Sequence, residues 1–172
     1  MVRRGRGWGI FRGWGKLWRR WRRRELVTRS AQKFIEQLRE NEIVAAIRAA
    51  ERETSGELRV FISRESVSDP VVAAQKEFTR LGMEKTRERN AVLIYLAPGR
   101  RKFAVIGDCG VHARCGDAFW VELARSMTAH FRAAEFTEGI VQGILRAGEL
   151  LAEHFPRRPD DANELPDRVE HN

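Results

Sequence analysis

A chain of 172 residues with 42% apolar and 33% charged side chains has the material for one packed domain plus tails. Its formal net charge of +8 is unevenly placed: residues 1–24 hold ten Lys or Arg and no acid, whereas the rest holds 22 basic and 24 acidic side chains. That split excludes a nucleic-acid binder that is basic over its whole surface, and no run approaches the roughly 18 apolar residues of a membrane helix.

Residues 1–26 form an arm dominated by Gly, Trp and Arg, MVRRGRGWGIFRGWGKLWRRWRRR and two more residues. Such a segment buries too little apolar surface to offset its ordering entropy, so the expectation is disorder in isolation. Three readings stand for it. Trp beside Arg suits stacking on single-stranded nucleic acid. The same pair suits an anionic membrane surface. Alternatively, translation starts at Leu26 or Val27 and the arm is not made. Arginines interrupt every candidate signal-peptide core, which points to a cytoplasmic location, with peripheral membrane contact only through the arm. Two cysteines agree with a reducing compartment.

The domain is expected over residues 30–155. FIEQL places Phe34, Ile35 and Leu38 on one helical face. Asn41 is the expected N-cap of the next helix, with Ile43, Val44, Ile47 and Ala50 as its apolar stripe and Gly56 as its stop. ELRVFIS, from Glu57, alternates with Leu58, Val60 and Ile62 on one face and reads as a strand. Asp69 and Pro70 open a helix that Gly82 ends. AVLIYLA, residues 91–97, is a continuous β-prone run, as a buried central strand should be. Pro98-Gly99 turns the chain into a third strand, KFAVIG.

The connection through a helix predicts that the first two strands are parallel, and the tight turn predicts that the last two are antiparallel. DCGVHARCG then reads as an irregular loop, with Asp117 capping a long helix and Thr137 capping the last one. The tail, residues 156–172, is polar and proline-punctuated, with Leu165 as its one anchor and His171 solvated. The expected fold class is α/β: an α/β/α sandwich with a short mixed sheet of about three to four strands and about four helices.

This topology predicts a meeting place. The third strand runs against the other two, so its end lies at the edge where they begin. Asp108 should therefore approach Glu57 and Asn90, with Asp117 at the start of the following helix. Such oxygens suit a hard cation, Ca²⁺ or Mg²⁺, or general acid–base work. Read structurally instead, Asp117 is a helix cap, Asp108 a turn residue, and Glu57 a partner for Arg59 or Arg89. Cys109, His112 and Cys115 are three zinc-type ligands in one short segment, with His130 or Asp117 as a fourth. Zinc sites use better separated pairs, so zinc is not the expected metal. Gly139 and Gly143 lie four apart on one helix and suggest close packing against a neighbour.

Taken together, TSGELRVFI, the LGM ahead of the second strand, RNAVLIYLA, the GDCG segment and FRAAEFTEGIVQGI resemble the TPM domain family of thylakoid-lumen, photosystem II repair and receptor-modulator proteins. The likeness spans about Asn41 to Phe155, and the bacterial cytoplasmic-looking branch is most like this chain. The resemblance implies an α/β/α sandwich, divalent-cation binding and, in some members, acid phosphatase activity. It maps the family's polar positions onto Asn90 and onto Gly107 to Gly110. The chain departs from the family pattern at Arg89, where Asn or Asp is common, and at GDCG, where a GYG form is common. The signal peptide and trailing membrane helix of many relatives are not seen.

Three functions follow. The first is a binding or accessory module that holds a divalent cation or a protein partner and catalyses nothing. The second is a metal-assisted phosphatase at the Asp108 edge, with Arg87, Arg89 and Arg114 supplying charge and no nucleophile standing out. The third is a tether through the arm to nucleic acid or membrane.

Overall fold

Alternation along the strands decides which side of the sheet each residue faces. The computed structural model describes residues 9–10, 30–65, 67–159 and 165–172. Four strands form a mixed sheet: β2 (Leu58–Ile62), β3 (Val92–Ala97), β4 (Lys102–Gly107) and β5 (Val169–His171). A two-residue β1 (Gly9–Ile10) lies antiparallel on the outer side of β4. The order across the sheet is β1-β4-β3-β2-β5. β2 and β3 are parallel, with Leu58 opposite Val92, and β3 and β4 are antiparallel, with Val92 opposite Gly107. The remainder of the arm, and the alternative start at Leu26 or Val27, lie outside the described residues.

Among the described residues, five helices cover the sheet: α1 (Ser30–Gln37), α2 (Glu40–Glu51), α3 (Pro70–Arg80), α4 (Cys109–Arg132) and α5 (Phe136–His154). Leu58, Val60 and Ile62 of β2 join Val92, Ile94 and Leu96 of β3 beneath α1, α2, α4 and α5. Phe61, Leu93 and Tyr95 face the other way and pack with Val71, Ala74 and Phe78 of α3. The sheet is therefore buried on both faces, which explains why AVLIYLA is apolar throughout. Each fully buried Leu or Ile side chain contributes about 1.5–3 kcal/mol, so these two layers dominate the stability. Asp69 caps α3 through Val71 N and Val72 N, and Gly82, with φ of 71°, follows its end. At Gly139 and Gly143 an added Cβ would meet Phe131 and Met127, so α4 and α5 touch where the glycines sit.

Several boundaries differ from expectation. Asn41 is not a cap: α2 begins at Glu40, behind Arg39, whose guanidinium bonds Glu42 and Glu138. Gly56 does not stop α2, which ends at Glu51. Thr137 lies inside α5, where its Oγ1 accepts from Arg39 N. The segment after Asp108 is helix and not an irregular loop, because the Asp108 side chain accepts from Cys109 N and starts α4 there. The break comes later, at Gly116, with φ of 66°. Asp117 stands directly behind that break and is the first residue of the helical stretch beyond it. The tail is not irregular throughout: β5 pairs parallel with β2, and Val169, not only Leu165, anchors it. His171 bonds Glu40 and is not simply solvated. No helix among the described residues is long and apolar enough to cross a membrane.

Candidate functional site at the sheet edge

The end of β4 and the starts of β2 and β3 do lie side by side. Val92 N donates to Glu57 O and Asp108 N donates to Ala91 O. The topological argument therefore places Glu57, Asn90 and Asp108 along one edge, and all three are buried.

Their chemistry divides them. Asp108 is engaged on every side that the structure describes. Arg89 Nε and Nη2 donate to its two oxygens at 2.6 and 2.8 Å, and Cys109 N donates to Oδ1 at 2.7 Å. This is a bidentate ion pair combined with a helix cap, and Asp108 raises the guanidinium pKa further above its ordinary value. Arg89 takes a left-handed backbone, φ 54°, to reach it. Such a conformation is uncommon away from Gly, Asn and Asp and marks a position that its surroundings over-determine.

Asn90, only 1% exposed, behaves differently. Its Nδ2 donates to Ser55 Oγ at 3.2 Å, Ser55 Oγ donates to Glu88 Oε2 at 2.7 Å, and Arg158 Nη2 donates to Glu88 Oε1 at 3.1 Å. Asn90 Oδ1 is buried with no hydrogen-bond partner among the described residues. A buried acceptor left unpaired costs about 1–3 kcal/mol, so it calls for a donor or a cation.

Ser55 and Glu88 were not among the residues expected from sequence. The signal was available: they flank Gly56 and Arg89 in TSGEL and RERN, at the same strand entries that singled out Glu57 and Asn90. Gly110 explains how the edge closes. A Cβ there would lie 2.5 Å from Glu88 O and 2.6 Å from Arg89 O, so only glycine lets the first turn of α4 rest on this segment.

The remaining expected residues fall elsewhere or pair differently. The Asp117 side chain is 86% exposed and lies 3.8 Å from His112, beyond the Gly116 break. Arg59 pairs with Glu170 and Arg89 with Asp108. Cys109, His112 and Cys115 are strung along one helix, and burial pushes the Cys115 thiol up to about 11. No group of three or more His, Cys, Asp or Glu side chains is placed to hold a metal ion among the described residues. Arg114 stacks on Phe155, 4.6 Å from the ring centroid, and donates to His154 O.

Comparison with known proteins matches a family profile, TPM domain, over residues 27–150. Among solved structures, the NMR structure of the BA42 protein from the psychrophilic bacterium Bizionia argentinensis is similar, with 38% identity and a TM-score of 0.72. The match covers 77% of this chain and 92% of that one. The N-terminal domain of a P. gingivalis protein shares the fold at 20% identity and a TM-score of 0.51, over 74% of this chain and 80% of that one. No curated protein matches the sequence.

Proposed function

Since this chain belongs to the TPM domain family, we propose that it is a binding module that takes a divalent cation at the sheet edge and catalyses no reaction of its own. The observation that carries this reading is the unpaired, buried Oδ1 of Asn90, whose Nδ2 is linked through Ser55 Oγ to the Glu88 carboxylate. Oxygen donors of this kind suit Ca²⁺ or Mg²⁺, and Mg²⁺ in particular binds through one or two carboxylates while keeping several waters. Asn90 and Glu88 would supply protein ligands, with Ser55 close by and Glu57 adding negative charge at the same edge. Asp108 is withheld by Arg89, and Asp117 stands apart, so neither belongs to the proposed ligand set. The cation would supply fixed positive charge on which an acidic partner or ligand group can be held.

The phosphatase alternative draws less support. Its one carboxylate candidate, Asp108, is already spent on an ion pair and a helix cap. A phosphoryl-transfer site needs a positioned nucleophile or base in addition to charge.

Titration of the full chain with Ca²⁺ and with Mg²⁺ by calorimetry tests the proposal. Saturable heat and a rise in melting temperature are expected with at least one ion, and both should vanish in Asn90→Ala. Absence of heat with either ion, or an undiminished response in Asn90→Ala, sinks it.

A further inference from the structure

The chain leaves α5 as a strap bonded to the turn ahead of β2. Phe155, 3% exposed, belongs to the core, and Arg114 stacks on its ring. Phe155 O accepts from Thr54 Oγ1 at 2.5 Å and from Ser55 N at 2.9 Å. Pro156 forms a bridge with Thr54. Arg157 N donates to Glu53 O, and Arg157 Nη1 donates to Glu51 O.

Arg158 is next in this row, and its side chain reaches the candidate site. Its Nη2 donates to Glu88 Oε1 at 3.1 Å, and the side chain is 52% exposed. Arg89, at the same edge, is held otherwise: it grips a buried carboxylate through two nitrogens. A bidentate pair on a buried carboxylate is strong, whereas an exposed pair is weak. Of these two arginines, Arg158 is therefore the one that can be exchanged.

Ser55 joins the strap to the site. Its N donates to Phe155 O, while its Oγ donates to Glu88 Oε2 and accepts from Asn90 Nδ2. Charge then sets the two occupants of Glu88 against each other. A divalent cation sits about 2.0–2.6 Å from a carboxylate oxygen, which puts it within roughly 6 Å of a guanidinium on the same carboxylate. That separation is below the Debye length of about 8 Å at physiological ionic strength, so salt screens the repulsion only in part.

We infer that Arg158 is the resident counter-ion of the cation site: it holds Glu88 until a divalent cation displaces it, and its displacement loosens the strap at Arg157 and Arg158. The inference rests on the reading of Asn90 and Glu88 as cation ligands. Coupling of this kind is reciprocal, so the factor by which Arg158 weakens the cation is the factor by which the cation weakens the hold of Arg158.

Two measurements on the full chain test it, calorimetric titration with Ca²⁺ and Mg²⁺ and amide hydrogen exchange at Arg157 read by NMR. Arg158→Ala should bind the cation about two- to fivefold more tightly than wild type. Saturating cation should quicken Arg157 exchange in wild type and leave it unchanged in Arg158→Ala. A purely structural role for Arg158 would give neither the tighter binding nor the cation-dependent exchange. Equal or weaker binding by Arg158→Ala overturns the inference, and so does a cation that leaves unchanged or slows Arg157 exchange in wild type. Heat in neither protein removes the cation reading and this inference together. Heat in both with equal affinities removes this inference alone.

Discussion

Arg89 grips both oxygens of Asp108, at 2.6 and 2.8 Å, from a left-handed backbone with φ of 54°. The pair pins the segment before β3 to the start of α4, and it removes Asp108 from chemistry that would need a free carboxylate. The Arg89 side chain is 40% exposed and that of Asp108 only 2%, so the carboxylate depends on the guanidinium more than the reverse. Arg89→Ala should cost about 1–3 kcal/mol in denaturant unfolding, below the value for a fully desolvated pair because solvent reaches the arginine. An unchanged midpoint would show that water replaces the guanidinium without loss.

Arg158 and a cation would compete for Glu88, since Arg158 already occupies Glu88 Oε1 at 3.1 Å. Arg158→Ala should tighten divalent-cation binding about two- to fivefold, the range expected for losing one exposed ion pair. Calorimetric titration reads this directly. Weaker binding in Arg158→Ala would mean that the arginine orients Glu88 for the cation and does not compete with it.

Glu51 predicts a pH dependence of stability. Burial pushes its carboxyl up to about 9, and although Leu58 N donates to it, Asp167 and Glu57 add to the rise. From its ordinary 4.5 up to about 9, the folded chain holds a proton that the unfolded chain has released. Stability contributed by this group is therefore lost as pH rises through that window. Glu51→Gln keeps the acceptor for Leu58 N, removes the titration, and should gain about 1–3 kcal/mol on the alkaline side. Unfolding midpoints of wild type and variant across this range should diverge as pH rises; parallel curves would show that Glu51 is ionised in the fold.

Gly107 is needed for space. A Cβ there would lie 2.4 Å from Trp120 Cη2 and 2.6 Å from Cζ2, and Trp120 is almost wholly buried. Gly107→Ala should cost about 1–3 kcal/mol through forced displacement of the indole, with a change in near-ultraviolet circular dichroism. A melting temperature equal to that of wild type would show that α4 can shift without cost.

What the sequence determined by itself is the set of features written in local pattern. Alternation in LRVFI, the unbroken run AVLIYLA and the Pro98-Gly99 turn dictated a mixed sheet with one parallel and one antiparallel pair. That topology alone brought Glu57, Asn90 and Asp108 to one edge. The short blocks from TSGEL to FTEGI carried the family.

The tertiary structure decided the rest because it depends on partners far apart in the chain. Val169–His171 has no strand pattern long enough to read; it is a strand because β2 has an open edge and Arg59 lacks a carboxylate. Asp108 is a cap and an ion-pair partner, and not a free ligand, because α4 begins at Cys109 and Arg89 bends back to meet it. Asn90 Oδ1 is the marked atom of the site because it is buried without a hydrogen-bond partner among the described residues while Nδ2 is engaged by Ser55, and no one-dimensional pattern contains that information.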